Sequence, residues 1–353
     1  MGYWNAKNAI KSKAQYKMII GERGNGKSYA IKSHVLDNFL KNNEEFIYLR
    51  RSREDIKNTS VESYFSDIDV NKLTKGQYQA IIAWGGRIYL SKLEKSVLKR
   101  SLCIGYYMAL STWEHSKSAQ FPKVTTMLFE EFTTSRTMTS NMTYLQNESD
   151  KLMQLVSTVF RDRLGTVYLI GNTVDRTCPY FFDWNLDFIP KMKDGDSTEI
   201  SVPISDTKVV TIYVEKTDNE KNSHGMIFGK VRDVIAGGKW EEHDYITIFP
   251  SGDIERIYKL YYVNRLQFVI ELCIDTDYGK LFNFIYPYTK DNIPKNSRII
   301  EPNYLLLDTS GYHTTNINDL NKCERAVLEN IRNNSVVYAN NACGTDFNSL
   351  FLL

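Results

Sequence analysis

Short apolar runs alternate with amphipathic stretches along the first half of the chain. Apolar residues recur at helical spacing in two stretches, 29–36 and 145–163, which predicts two helices. The uninterrupted apolar runs are too short for helices and predict buried strands at 16–20, 45–49, 124–129 and 166–172. Because buried strands that alternate with helices form parallel sheets, this half is predicted to be an α/β domain with a mostly parallel sheet.

The pattern changes after about residue 190. Residues 190–240 are polar and interrupted by glycine, which is typical of a linker with short structured pieces. Further strands are then predicted at 244–249, 257–263, 267–275 and 281–289. An amphipathic helix is predicted at 317–333, and strands followed by a helix indicate a smaller α+β domain. We therefore expect domains at 1–198 and 241–353, joined by a linker region at 199–240.

The stretch between the first strand and the first helix carries the clearest chemistry. Gly21 to Ser28 fits the phosphate-binding pattern G-x-x-x-x-G-K-[ST] at every fixed position. Its glycines let backbone N–H groups turn inward around phosphate oxygens, and the following helix points its positive end at the same anion. Lys27 is expected at the β- and γ-phosphates and the Ser28 hydroxyl on Mg²⁺. The expected contacts to ATP are Gly21, Glu22, Arg23, Gly24, Asn25, Gly26, Lys27, Ser28 and Tyr29.

Two acidic residues end the apolar run at 124–129. Glu130 and Glu131 are expected at the carboxyl edge of the sheet, where open α/β sheets bind ligands. Glu130 is predicted to hold Mg²⁺ through water and Glu131 to polarise the attacking water. Asn172 ends the run at 166–172, where it either contacts the γ-phosphate or simply begins a turn.

Composition limits the setting and the partners. No stretch of about 18 apolar residues occurs, so no membrane segment is expected. The five cysteines are scattered without a C-x-x-C pair, which favours a reducing cytoplasm. Residues 1–198 hold 28 Lys and Arg against 21 Asp and Glu, which suits a polyanionic partner as well as an ordinary solvated surface. The densest positive charge lies at 87–123, after a hairpin predicted at 78–90.

Several motifs occur in a fixed order. These are Gly-x-Arg-Gly-x-Gly-Lys-Ser-Tyr-Ala, Phe-Ile-Tyr-x-Arg-Arg, Trp-x-x-Ser-Lys-Ser, Val-x-Thr-x-x-Phe-x-Glu-Phe and Thr-Val-Phe-Arg-x-Arg. Together, over about residues 15–185, they resemble the DNA-packaging ATPases of small short-tailed bacteriophages, the motors that use a packaging RNA.

The resemblance implies a fold, an activity and partners. It implies an additional-strand, catalytic-glutamate (ASCE) P-loop ATPase domain and a C-terminal ribonuclease-H-like domain that is degenerate as a nuclease. It also implies a homo-oligomeric ring, expected as a pentamer, that pumps double-stranded DNA through a portal into a procapsid. The protein is then expected in the host cytoplasm and transiently on the procapsid, with packaging RNA as a further partner.

Residue roles follow from the aligned motifs. The resemblance places the Walker lysine at Lys27, the catalytic glutamate at Glu131 and a trans-acting arginine finger at Arg161. Glu130 departs from the family pattern, which has Asp at that position. Arg161 ends a predicted helix, where an arginine also complements the helix dipole. Further candidates for trans or DNA contacts are Arg163, Lys117, Arg53, Lys57 and the basic residues in 87–100.

Other functions remain open from the sequence. A helicase, a terminase-like ATPase with an active nuclease domain, and a module in which ATP only orders a ring on nucleic acid use the same P-loop. A metabolic kinase would leave the basic half without a role. In the second domain, Glu271 and Asp275 share a strand face but lie about 13 Å apart, too far for one metal cluster. This spacing favours a binding domain over a nuclease.

Overall fold

The computed structural model divides the chain into two compact units, Met1–Glu241 and Glu242–Leu353. The residues that it describes are 3–116, 119–134, 144–205, 208–218, 239–240, 242–263, 266–289, 298–300, 306–308, 313–315 and 320–349.

The first unit alternates strands and helices. Its strands are β1 (Tyr16–Gly21), β2 (Glu45–Arg50), β3 (Ala80–Trp84), β4 (Arg87–Glu94), β5 (Val97–Ala109), β6 (Val124–Glu130), β7 (Thr166–Asn172), β8 (Ser197–Ser205) and β9 (Lys208–Lys216). Its α-helices are α1 (Lys7–Lys11), α2 (Lys27–Asn42), α3 (Asn58–Phe65), α4 (Val70–Leu73), α5 (Glu148–Phe160) and α6 (Pro179–Asp183). Short 3₁₀ turns lie at Leu110–Ser116 and Ile189–Lys191.

The nine strands form one sheet in the order β3-β4-β5-β2-β6-β7-β1-β9-β8. The six neighbouring strands from β5 to β9 run parallel, and antiparallel hairpin strands extend the sheet at both edges. β7 lies between β1, which leads into the P-loop, and β6, which carries the paired acids. This mostly parallel sheet confirms the predicted α/β class and has the inserted strand that the ASCE resemblance implies.

Helices cover both faces of the sheet because its central strands are apolar on both sides. On one face, α2 and α3 bury Ile31, Val35, Val61 and Phe65. On the other face, α5 buries an apolar stripe that includes Leu152. Since parallel strands end together, the carboxyl ends of β1, β2, β6 and β7 meet at one edge of the sheet.

The elements near the P-loop match their predicted positions, whereas two other expectations change. The helix expected at 145–163 covers only Glu148–Phe160, because Arg161 has a positive φ of 51° and ends it. The linker expected at 199–240 was wrong for its first part, since β8 (Ser197–Ser205) and β9 (Lys208–Lys216) belong to the main sheet. β9 pairs in parallel with β1, so these strands belong to the first unit. Residues 219–238 lie outside the described part.

The second unit contains one mixed sheet and two helices. Its strands are β10 (Ile254–Val263), β11 (Gln267–Asp275), β12 (Lys280–Pro287), β13 (Arg298–Ile300), β14 (Leu306–Asp308), β15 (His313–Thr315) and β16 (Val336–Tyr338), and its helices are α7 (Lys322–Arg332) and α8 (Asn341–Ser349). The sheet order is β15-β14-β13-β10-β11-β12-β16. Apolar residues of β10 to β12, such as Ile270, form one core with Val327 of α7 and Phe347 of α8.

This arrangement agrees with the predicted α+β class. The strands predicted at 257–263, 267–275 and 281–289 are present with shifted ends, and the helix predicted at 317–333 is α7. The strand predicted at 244–249 is absent, because these residues form no regular element. Within the described residues of both units, no helix is long and apolar enough to cross a membrane.

The close contact between β5 and β2 yields a test of the fold. A Cβ added at Gly105 would lie 2.4 Å from the carbonyl oxygen of Phe46, which is backbone and cannot move aside. We therefore expect Gly105→Ala to lower the free energy of unfolding by about 1–3 kcal/mol, measured by chemical denaturation. Ser101→Ala, at an exposed position of the same strand, is the control and should change it little. Equal stability of the two variants would contradict this strand packing.

Candidate functional site

Glycines shape the phosphate-binding loop at the carboxyl end of β1. Gly24 and Gly26 have φ of 78° and 89°, a left-handed conformation that other residues adopt only with strain. Gly21 is needed for a different reason, because a Cβ there would lie 1.8 Å from the Thr217 hydroxyl. The Asn25 amide donates to that same hydroxyl at 2.6 Å. The end of β9 therefore supports the loop from behind.

Lys27 begins α2 and lies buried within the loop. Its Nζ donates to the carbonyl oxygens of Gly21, at 3.1 Å, and Glu22. It also donates to the side-chain oxygens of Asn25, at 3.2 Å, and Asn172, at 3.4 Å. Burial lowers the pKa of Lys27 to about 8, with Glu130 opposing that shift. The lysine thus lies between the loop and the Asn172 end of β7.

Ser28 and Glu130 form the candidate magnesium site. The Ser28 hydroxyl donates to the Glu130 carboxylate at 3.1 Å. The Tyr64 hydroxyl of α3 donates to the other Glu130 oxygen at 2.6 Å, and the Tyr64 ring stacks on Tyr48 at 4.4 Å. Burial raises the pKa of Glu130 while both hydroxyls oppose the shift. A hydroxyl beside a buried carboxylate is an oxygen donor set that fits Mg²⁺.

Glu131 differs from Glu130 in both conformation and exposure. It follows β6 with a left-handed φ of 56°. Its side chain is 47% exposed, and Arg50 Nη2 donates to its carboxylate at 2.6 Å. The two consecutive acids are thus held differently, Glu130 by two hydroxyls and Glu131 by an arginine. The separate roles predicted for them stay predictions.

These side chains surround one cavity of about 880 Å³. All predicted nucleotide and metal ligands line it except Gly21 and Glu22, which are buried in the loop. The volume and the mixture of a phosphate loop, a lysine and carboxylates fit a nucleoside triphosphate.

Sequence reasoning missed residues that line this cavity and one that contacts Glu130 from behind it. The N-terminal segment lines it with Tyr3 and Trp4; the Trp4 backbone N–H donates to the Asn25 carbonyl, and its ring N–H donates to Glu215 of β9 at 2.6 Å. Tyr64 was also missed. No motif marks these residues, because they come from distant parts of the chain. The available sequence signal for the N-terminal segment was its aromatic pair, Tyr3 and Trp4, which precedes the first strand.

The predicted sensor Asn172 lies beside Lys27 at the end of β7. Its side-chain oxygen accepts from Lys27, while its backbone N–H and carbonyl both bond to the Thr133 hydroxyl at 3.0 and 2.8 Å. The clamp at Thr133 fixes the strand end. Asn172 lines the cavity and also begins a turn, in which its carbonyl oxygen accepts from the Val174 N–H at 2.9 Å.

Arg161 and Arg163 lie at the opposite edge of the sheet. Arg161 caps α5 and is exposed, as expected from the burial of Phe160 before it. Arg163 instead donates to four carbonyl oxygens at 2.8–3.0 Å, two of them in Pro122 and Val124. Arg163 is thus bound within its own chain, which favours Arg161 as the residue able to reach outward. Lys117 lies outside the described residues.

The candidate DNA contacts occupy two surfaces. Arg53 and Lys57 are exposed in the loop between β2 and α3, at the same sheet edge as the cavity. The basic residues at 87–100 lie on the β4–β5 hairpin, where Arg100 stacks 4.0 Å above the exposed Trp84 ring. The structure leaves both surfaces accessible within the unit.

Comparison with known proteins places this chain in a family. The family model described as Podovirus DNA encapsidation protein (Gp16) matches residues 2–235 of the 353. The chain belongs to this family.

Two relatives match about three fifths of the chain. The DNA packaging protein of Bacillus phage B103 is 36% identical over 219 residues, which cover 60% of this chain and 61% of that protein. The DNA packaging protein of Bacillus phage phi29 is 30% identical over 206 residues, covering 58% and 57%. The matched part therefore spans about three fifths of each relative's length.

A solved structure extends the likeness in fold. A chain of the bacteriophage Phi-29 viral genome packaging motor assembly aligns with a TM-score of 0.54 at 22% identity. The alignment covers 100% of this chain and 99% of that one. At this identity the likeness concerns the fold alone.

The different surroundings of the two acids predict different substitution effects. Glu131→Gln should bind ATP but lower turnover about 10²–10⁴-fold at every Mg²⁺ concentration, because an amide cannot accept a proton from water. Glu130→Gln should mainly raise the Mg²⁺ concentration that half-maximal turnover requires. Phosphate release across a Mg²⁺ titration measures both effects. Indistinguishable variants at saturating Mg²⁺ would show that the assignment of separate roles is wrong.

Proposed function

We propose that this chain hydrolyses ATP and uses the energy to move double-stranded DNA into a procapsid as a subunit of a ring motor. The observation that carries the proposal is the convergence of Lys27, Ser28, Glu130 and Glu131 on one cavity at the carboxyl edge of the sheet. DNA packaging is proposed as the use of that energy because the chain belongs to the Gp16 family and is similar to DNA packaging proteins.

The P-loop side of the cavity binds and neutralises the phosphates. Backbone N–H groups and Lys27 surround them, and Lys27 exchanges its bonds to loop carbonyls for phosphate oxygens. Ser28 and Glu130 would hold Mg²⁺, which would supply positive charge against the negative charge that develops in phosphoryl transfer. Asn172 reaches the same region from β7.

Glu131 activates water on the other side of the phosphates. A carboxylate suits this role because it accepts a hydrogen bond from the water and withdraws its proton. In the structure this carboxylate is bound by Arg50, so it must exchange that partner for water during turnover. Arg50 lies next in sequence to the loop that carries Arg53 and Lys57, which connects the catalytic acid to a candidate DNA surface.

The ring is inferred from the position of Arg161. This residue lies near the start of β7, whereas the cavity lies at its end, about 20 Å away for a strand of this length. Arg161 therefore cannot complete the site of its own subunit. An exposed arginine at that edge can complete a neighbour's site, where its planar charged fork would contact the γ-phosphate.

DNA, the portal and packaging RNA are proposed partners from the resemblance. The basic excess of residues 1–198 supports a polyanionic substrate, and Arg53 with Lys57 is the preferred DNA surface because it adjoins the cavity edge. The basic hairpin at 87–100 is the second. Phosphate contacts of this kind carry no sequence preference.

An active nuclease is not supported by the second unit. Glu271 is buried and paired with Lys259 at 2.9 Å and Arg256 at 3.2 Å, so cations of the protein already neutralise it. Asp275 accepts from the backbone N–H groups of Asp277 and Tyr278 and caps a turn. Among the residues that the structure describes, no three acidic, His or Cys residues are grouped as a metal site requires. A binding role for this unit fits better.

Phosphate release with and without double-stranded DNA tests the motor directly. The full chain should hydrolyse ATP continuously and faster with DNA. Lys27→Ala should abolish turnover while keeping the circular dichroism spectrum, because it removes a point charge from the phosphates. Turnover at the wild-type rate by folded Lys27→Ala would exclude the P-loop assignment. Nucleotide binding by wild type without continuous release would instead indicate an assembly module.

Mixed rings test Arg161. Arg161→Ala subunits should bind ATP normally and show no turnover alone, since a finger contributes roughly 10³–10⁵ in rate. Mixed with Lys27→Ala subunits, they should regain turnover, because the second variant supplies an intact arginine to an intact P-loop. The measurement is phosphate release at several mixing ratios. Rings shown to be mixed that remain inactive at every ratio would rule out action in trans.

A further inference from the structure

Glu131 is held through its backbone as well as its side chain. The Arg51 guanidinium donates from Nη1 to the carbonyl oxygen of Glu131 at 3.2 Å, and from Nη2 to that of Phe132 at 2.6 Å. The Phe132 N–H donates in turn to the Ile170 carbonyl of β7 at 3.3 Å. Both polar groups of the peptide that follows Glu131 are therefore bonded. The peptide before it belongs to β6, which pairs with β7 at Glu130.

These contacts fix the direction of the Glu131 side chain. The orientation of the two peptides around a Cα sets the direction of its Cα–Cβ bond. One peptide is fixed by the sheet and the other by Arg51 and Ile170. The resulting left-handed φ of 56° is unfavourable for a residue other than glycine, so the surrounding contacts must impose it.

Arg51 is itself held rigidly. Glu148, at the start of α5, binds its guanidinium at two atoms, Nε at 2.7 Å and Nη2 at 3.1 Å. The pair is buried, and the Glu148 charge raises the pKa of Arg51. Glu148 also accepts from the Tyr180 hydroxyl at 2.9 Å and from the Leu145 backbone N–H at 2.8 Å. Arg51 is thus pre-oriented before it reaches the two carbonyls.

We propose that Arg51 is a positioning residue for hydrolysis, which imposes the strained backbone of Glu131 and so aims its carboxylate at the water. The proposal rests on the proposed ATP hydrolysis. Arg50 and Arg51 then divide two tasks, because Arg50 contacts the carboxylate and Arg51 the backbone. Only a planar fork can bind Glu148 and both carbonyls together; a lysine has one compact donor group.

The test uses Arg51→Lys, which keeps a positive charge beside Glu148 but loses the fork. ATP affinity, measured with a fluorescent ATP analogue, should stay at the wild-type level, because Arg51 lies behind Glu131 and away from the P-loop. Turnover of the full chain with DNA should fall about 10²-fold, as expected for a reacting group displaced by about 1 Å. Unchanged turnover in a folded variant would overturn the proposal.

A double-variant comparison separates positioning from simple support of the fold. In a Glu131→Gln background the residue that Arg51 aims is already disabled, so Arg51→Lys should cause no further loss of turnover. An equal fold-loss in both backgrounds would mean that Arg51 acts through the fold, and would overturn the proposal. If wild type itself releases no phosphate, the proposed function fails instead, which is a different result.

Two controls complete the design. Should Arg51→Lys fail to fold, the pair Arg51→Met with Glu148→Leu avoids a stranded buried charge and should show the same loss of turnover. Lys17→Met removes a buried cation that bonds to the Ser12 carbonyl and the Tyr168 hydroxyl at the opposite end of β1. It should lower thermal stability while leaving turnover per folded chain unchanged. Loss of turnover in this control equal to that of Arg51→Lys would contradict a specific role for Arg51.

Discussion

The arrangement of side chains at the carboxyl edge of the sheet, where the cavity lies, depends on the free-energy cost of burying charge. A charged side chain removed from water is unfavourable unless hydrogen bonds or an opposite charge compensate it. Lys27 meets this requirement with loop carbonyls, Glu130 with two hydroxyls, and Arg51 with Glu148. Each partner comes from a different element, so the need to compensate these charges joins the P-loop, α2, α3, β2 and α5 into one arrangement.

The fold of the first unit was largely predictable because its signals are local. The P-loop pattern needs only eight consecutive residues, and apolar runs mark β1, β2, β6 and β7 with end shifts of at most one residue. Parallel strands between helices then require that Lys27, Glu130 and Asn172 meet at one edge. The same reasoning could not find Tyr64 or Glu148, since their contacts join residues 66 and 97 positions apart.

Other elements were predicted less well. β8 and β9 lie in a stretch that is polar and glycine-containing as a whole, but β9 carries the apolar run 209–214, a signal of a buried strand that the prediction of a linker passed over. The early end of α5 also has a local cause, the positive φ of Arg161, which no sequence pattern announces. In the second unit, Glu271 could be placed on a strand from the sequence. Its ion pairs with Arg256 and Lys259 required the sheet register.

The contact between Thr217 and the P-loop determines where a minimal nucleotide-binding fragment can end. Thr217 donates its backbone N–H to Ile20, accepts from Asn25, and fills the space that a side chain at position 21 would need. A fragment cut at residue 198 would lose β9, uncover the edge of β1 and leave the Asn25 amide without this acceptor. The loop proposed to bind the phosphates and the residue that supports it are therefore about 190 residues apart in sequence yet inseparable in the folded unit.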